Sequence, residues 1–140
     1  EKNQGPMLTK ASRFFSEITC GSFEGVRPEF GDNSTPIIAG VRNGGKEIVQ
    51  VAGMSDGTAD QLFLSLRLAG LEIALQKGEP LPFVVDGILV KFDDDRAAAA
   101  LKALYSVSAK TQVIFFTHHQ HLVDLARSVL PEAHLCFHSL

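Results

Sequence analysis

The sequence predicts an α/β fold: a mostly parallel sheet with flanking helices, preceded by a β-hairpin region. Three observations lead there. Two short apolar runs, Phe83–Val85 and Thr111–Phe116, are each followed by a helix-like pattern, which is the order that places parallel strands beside crossover helices. A long stretch from Thr58 to Gln76 repeats apolar residues at helical spacing, and Val26 to Val51 breaks into short β-prone runs divided by Gly, Asn and Asp.

Taken in order, Met7, Leu8, Ala11, Phe14, Phe15 and Ile18 give an amphipathic helix from about Met7 to Thr19, with Gly21 as its stop. No partner for its apolar side is evident. Runs at Val26–Phe30, Pro36–Arg42 and Lys46–Val51 follow, and the last two, separated by Asn43-Gly44-Gly45, suit a hairpin. Thr58 to Gln76 is a helix buried on more than one side, ended by Gly78 and Pro80. Phe83-Val84-Val85-Asp86 is a strand ending in an acid. Asp94 to Ser108 is an alanine-rich helix whose positive end suits Asp93 to Asp95. Thr111–Phe116 is a second strand, Leu122–Leu130 a helix closed by Pro131, and His134–Phe137 a final strand.

The 140 residues fit a single domain, 1–140, and neither a repeat nor a dividing linker is visible. No apolar run approaches the roughly 20 residues of a membrane span, so no membrane role is expected. The formal net charge of −3 gives no overall basic field for nucleic acid. Cys20 and Cys136 form no CxxC and no secretory leader precedes them, which points to free thiols in a reducing compartment, the cytoplasm. A start at Glu1, with a first helix lacking a partner, suggests a piece of a longer protein.

One motif misleads. Gly40-Val41-Arg42-Asn43-Gly44-Gly45-Lys46-Glu47 nearly fits the phosphate loop GxxxxGK[ST]. Glu47 offers no hydroxyl and would repel phosphate, and Ile48-Val49-Gln50-Val51 alternates like a strand where a phosphate loop opens a helix. A hairpin turn is expected there.

Four other segments are individually weak and stand in a meaningful order. Met54-Ser55-Asp56-Gly57-Thr58 opens the long helix, where free amides and the helix dipole favour an anion; Ser55 could equally serve only as the helix cap. Asp86 closes a buried strand, as a carboxylate that holds Mg²⁺ does. Asp93 lies seven residues later and could be a plain cap. Thr117-His118 ends the next strand, thirty-two residues after Asp86, where an imidazole can sense charge. His118, His119 and His121 invite a zinc site, but no further ligand follows at a suitable spacing.

In this order and spacing the segments resemble the ABC-type ATPase heads of the SMC and SbcC group, most closely the YhaN-like bacterial coiled-coil ATPases. The resemblance covers nearly the whole chain and implies the C-terminal lobe of a head. Residues 1–20 then resemble the end of the returning coiled-coil arm, and 54–140 carry the signature, Walker B, D-loop and switch-histidine segments. It implies ATP and Mg²⁺ as cofactors, with Ser55, Asp56, Gly57 and Asp93 binding nucleotide, Asp86 the metal, and His118 catalytic. It implies as partners an N-terminal lobe carrying the true phosphate loop and a second head in a homodimer, with DNA allowed through a role in repair or chromosome maintenance. One position departs from the family: Gly87 stands where a Glu or Asp normally follows Asp86. Two alternatives therefore stay open, a clamp that binds ATP without hydrolysing it, and a structural or protein-interaction domain without nucleotide function.

Overall fold

The computed structural model describes residues 5–79 and 81–139. The first residues of the expected arm stub, Glu1 to Gln4, and the expected helix stop Pro80 lie outside the described residues.

Helix α1 spans Gly5–Ile18 and buries Ala11, Phe14, Phe15 and Ile18, a one-sided stripe with helical spacing. It ends where Thr19 Oγ1 donates back to the carbonyl of Phe15 (2.7 Å), and where Gly21, at φ +82°, donates its N–H to the carbonyl of Ser16 (2.8 Å). The missing partner of this helix is within the chain, because α1 packs on the long helix Asp56–Gln76 and on the strand Gly25–Phe30. The stripe was legible in sequence, whereas the surface it meets comes from residues some fifty positions away.

Three strands follow, β1 (Gly25–Phe30), β2 (Pro36–Arg42) and β3 (Glu47–Gln50), in one antiparallel sheet of order β1-β2-β3. The expected hairpin is its second half. Ser12 on α1 fastens the sheet: its Oγ accepts from the N–H of Val26 (2.9 Å) and donates to the carbonyl of Val26 (3.1 Å). The turn at Asn43-Gly44-Gly45 has positive φ at all three residues. Glu24 takes the N–H of Gly44 (2.6 Å) and Arg42 pairs with Glu47 (2.9 Å), so acids occupy the surroundings that a phosphate would need. The phosphate-loop look-alike is a hairpin turn.

Helix α2 (Asp56–Gln76) is buried from several sides through Thr58, Gln61, Leu62, Leu64, Ser65, Leu68, Ala69, Leu71 and Glu72. Gly78, at φ +86°, ends it. Parallel strands β4 (Phe83–Asp86) and β5 (Val113–Phe116) pair in the register Phe83↔Val113 to Asp86↔Phe116, joined through helix α3 (Asp94–Val107). Helix α4 (Gln120–Val129) packs on α3. Among the described residues a buried cluster runs from Phe14 and Phe15 on α1 through Leu62 and Leu68 on α2 to Val85, Leu104 and Leu122.

The strand expected at His134–Phe137 does not form. A 3₁₀ turn covers Glu132–His134, and the described residues beyond it join no sheet. Side chains hold this segment in place of a ladder: Tyr105 hydrogen-bonds and stacks on His134, and the guanidinium of Arg127 lies 4.2 Å from the ring centre of Phe137. A strand must lie along a sheet edge to pair its amides, and these side-chain contacts seat the segment against α3 and α4 instead.

Glu72 joins α1 to α2. Its side chain is only 8% exposed, and it accepts from Arg13 (2.9 Å) and Lys10 (3.5 Å), with Lys110 at 4.0 Å. Replacing Glu72 with Leu should lower stability by about 1.5–3 kcal/mol through loss of charge-assisted hydrogen bonds. Urea unfolding measures this, and an unchanged midpoint would refute the role.

Candidate functional site

Ser55 stands just before α2 as its N-cap. Its Oγ accepts from the N–H of Thr58 (3.2 Å) and donates to Thr58 Oγ1 (2.9 Å). The capping role seen in the sequence is therefore realised, and Ser55 remains exposed to solvent at a helix N-terminus. Asp56 follows in the first turn, exposed, with the ammonium of Lys91 at 3.8 Å.

Gly57 has a role that spacing did not reveal. A Cβ built there would lie 2.6 Å from the carbonyl oxygen of Lys91, closer than real Cβ atoms come to backbone. Only glycine lets the first turn of α2 sit against the 3₁₀ turn Ile88–Lys91. That turn leads directly into Asp93, so α2 and α3 begin in one corner.

Asp93 caps α3, its Oδ1 accepting from the N–H of Arg96 (2.8 Å). The guanidinium of Arg96 turns back across the corner. Its Nη1 donates to Thr58 Oγ1 (3.2 Å) and Gln61 Oε1 (3.1 Å), and its Nη2 to Ser22 Oγ (3.0 Å). Ser55, Asp56, Gly57 and Asp93 are thus brought together, along with residues that sequence reasoning left without a role: Ser22, Gln61, Lys91 and Arg96. One signal was available, since an arginine in a first helical turn opposes the helix dipole and calls for a specific partner.

Asp86 and His118 form a second group. β4 and β5 are parallel, so their carboxyl ends share one edge of the sheet. Asp86 aligns with Phe116, and His118 lies two residues beyond that partner; both side chains are exposed. An exposed carboxylate at the carboxyl end of a parallel strand fits a hard cation that draws its other ligands from water and phosphate. Among the described residues no group of three or more His, Cys, Asp or Glu is placed to hold a metal. The histidines separate accordingly. His121 Nε2 meets Asp94 Oδ1 at 2.7 Å, and this hydrogen bond, with the carboxylate's charge, holds the imidazole's pKa above its ordinary value. The pair ties the start of α4, just after His118, to the start of α3, just after Asp93.

Gly87 adopts φ +68° and ψ 6°, a left-handed conformation, and open space surrounds its Cβ position. It makes the turn from β4 into the 3₁₀ segment. Among the described residues no helix is long and apolar enough to cross a membrane.

Comparison with known proteins gives consistent relatives. No family model matches the chain. The uncharacterised protein YhaN of Bacillus subtilis (strain 168) is 31% identical over 123 residues, 87% of this chain, although the chain spans only 12% of that relative's length. An SMC head bound to the C-terminal winged-helix domain of ScpA superimposes with a TM-score of 0.68 at 18% identity, over 89% of this chain and 38% of that one. A structure from work on ATP-driven dimerisation and DNA-stimulated activation of SMC ATPases also gives 0.68, at 19% identity, over 89% of this chain and 74% of that one. The fold is that of SMC head domains, as the sequence resemblance implied.

The contact at Gly57 yields a test that needs no nucleotide. Gly57→Ala should destabilise the chain by about 1–3 kcal/mol, the ordinary cost of forcing extra atoms into a packed site. Urea unfolding of the unliganded protein measures it. A neutral effect would show that the corner can open freely.

Proposed function

We propose that this chain is the C-terminal half of an ATP-binding head that dimerises on ATP, within a longer coiled-coil ATPase. The observation that carries the reading is the joint placement of Ser55, Gly57 and Asp93 in one exposed corner, with Asp86 and His118 at the carboxyl ends of adjacent parallel strands. These two groups suit opposite sides of the phosphates of one bound nucleotide, supplied by different copies.

On this reading residues 1–140 act as one unit, with 1–20 ending the returning arm. An N-terminal lobe brings the phosphate loop. Two features support such a partner: the uncovered face of the β4–β5 sheet exposes Val84 and Phe116, and an apolar groove of about 870 Å³ opens between β5, α3 and α4. The groove would take part of that lobe. Ser55 offers its hydroxyl, and the first turn of α2 its amides, to the γ-phosphate held by the opposite head. Asp86 would hold Mg²⁺, through water, beside the nucleotide of its own head, and His118 donates toward the γ-phosphate of that same nucleotide. When bound, Mg²⁺ would supply neutralisation of phosphate charge. Binding energy then becomes association of heads, since ATP favours the paired state. A place in DNA repair or chromosome maintenance, with DNA as a further partner and a cytoplasmic setting, accords with the SMC likeness.

Gly87 favours a slow-turnover form of this clamp. With no side chain there, general-base assistance worth about 10²–10⁴ in rate is missing from the position after Asp86. The backbone refines how to restore it. At φ +68° a β-carbon costs about 1–2 kcal/mol, and aspartate tolerates this conformation better than glutamate.

Light scattering of the full-length protein should show a doubling of mass with ATP, abolished by Ser55→Arg. An unchanged mass would contradict the clamp and favour an interaction domain. Gly87→Asp should raise ATP turnover by about tenfold or more if the absent base limits it; no gain would assign the work to another group.

A further inference from the structure

Arg96 occupies the first turn of α3, where the positive end of the helix disfavours a cation. Four surrounding oxygens offset this. Nη1 reaches Thr58 Oγ1 and Gln61 Oε1, Nη2 reaches Ser22 Oγ, and Nε lies 3.7 Å from Asp93 Oδ2. Thr58 and Gln61 are buried, at 8% and 1% exposure, so their oxygens have little access to water. Thr58 Oγ1 accepts a second hydrogen bond, from the hydroxyl of Ser55. The guanidinium is therefore one side chain removed from Ser55 and also touches Asp93.

This arrangement has a consequence for a ligand at Ser55. To donate to an incoming phosphate oxygen, the Ser55 hydroxyl must release Thr58 Oγ1. Arg96 keeps that buried oxygen hydrogen-bonded when the release occurs, while Ser55 Oγ goes on accepting from the N–H of Thr58. The same side chain fixes the distance between the α2 turn and the α3 cap. A planar fork with five N–H donors can serve these acceptors from one position, and an ammonium cannot.

We propose that Arg96 is a positioning residue for the nucleotide of the opposite head, holding the Ser55–Thr58 turn in register with Asp93 and freeing the Ser55 hydroxyl to turn outward. This rests on the ATP-clamp reading. It extends that reading to a residue that acts on nucleotide only through its neighbours.

The test uses the full-length protein with Arg96→Lys, Arg96→Gln and Ser55→Arg. Two constants are measured: binding of a fluorescent ATP analogue at concentrations where heads stay apart, and ATP-dependent dimerisation by sedimentation. Both Arg96 variants should weaken dimerisation by about tenfold or more, as loss of charge-assisted hydrogen bonds implies, and leave nucleotide binding by the single head within about twofold. Lysine should not rescue. A purely structural role would lower both constants together, and would overturn the proposal. Dimerisation of Arg96→Lys at the wild-type level, with Ser55→Arg still defective, would also overturn it and leave the clamp standing. Failure of the wild-type protein to associate with ATP would instead remove the clamp, and this proposal with it. Should Arg96 variants not fold, Gln61→Met removes one acceptor from the α2 side and should show the same split in milder form; an unchanged dimerisation constant there would overturn the proposal.

Discussion

The structure depends on the approach of the first turn of α2 to the backbone of Lys91, which glycine at position 57 alone permits. Because the Lys91 carbonyl belongs to the turn that follows β4, this contact fixes where the long central helix begins relative to the parallel sheet. Arg96 closes the same corner from α3, and Ser22 brings in the end of α1. Backbone contact sets the spacing, and the hydrogen bonds set the orientation. At the far end of α2, Glu72 receives the cations of α1. The central helix is therefore held at both ends by neighbours that come from distant sequence.

This organisation gives two polar groups with a short physical connection. Ser55, Gly57 and Asp93 lie at helix starts, whereas Asp86 and His118 lie at strand ends. The start of α3 touches both sides, through Arg96 toward α2 and through Asp94 toward His121 on α4. A displacement of α3 would be felt by both groups. Gly87 lies on the path between β4 and this corner, and its left-handed conformation suits a sharp turn better than a side chain that must carry out chemistry.

How much of this was legible in sequence depended on the range of the interaction involved. The helices followed from local periodicity: Ala11, Phe14, Phe15 and Ile18 face one way whatever they meet. The turn at Asn43-Gly44-Gly45 was also readable, since Glu47 and the alternating residues after it argued against a phosphate loop. The partner of α1 was not, because it is made by α2, far along the chain. The strand expected at His134–Phe137 failed for a related reason: its composition suits a strand, but Tyr105 and Arg127 seat its side chains by α3 and α4. At the site, Ser55 and Asp93 announced themselves as caps. The second demand on Gly57, the contact with Lys91, and the reach of Arg96 to Thr58 and Gln61 required three dimensions.

The claim that two copies share each nucleotide is tested most directly by a structure of the full-length protein with Mg²⁺ and a non-hydrolysable ATP analogue. The account predicts a pair of heads in which Ser55 of one copy lies within hydrogen-bond distance of the γ-phosphate bound to the other, with Asp86 and His118 beside the nucleotide of their own copy. Nucleotide bound with Ser55 facing only solvent, or heads that remain apart and empty, would contradict it.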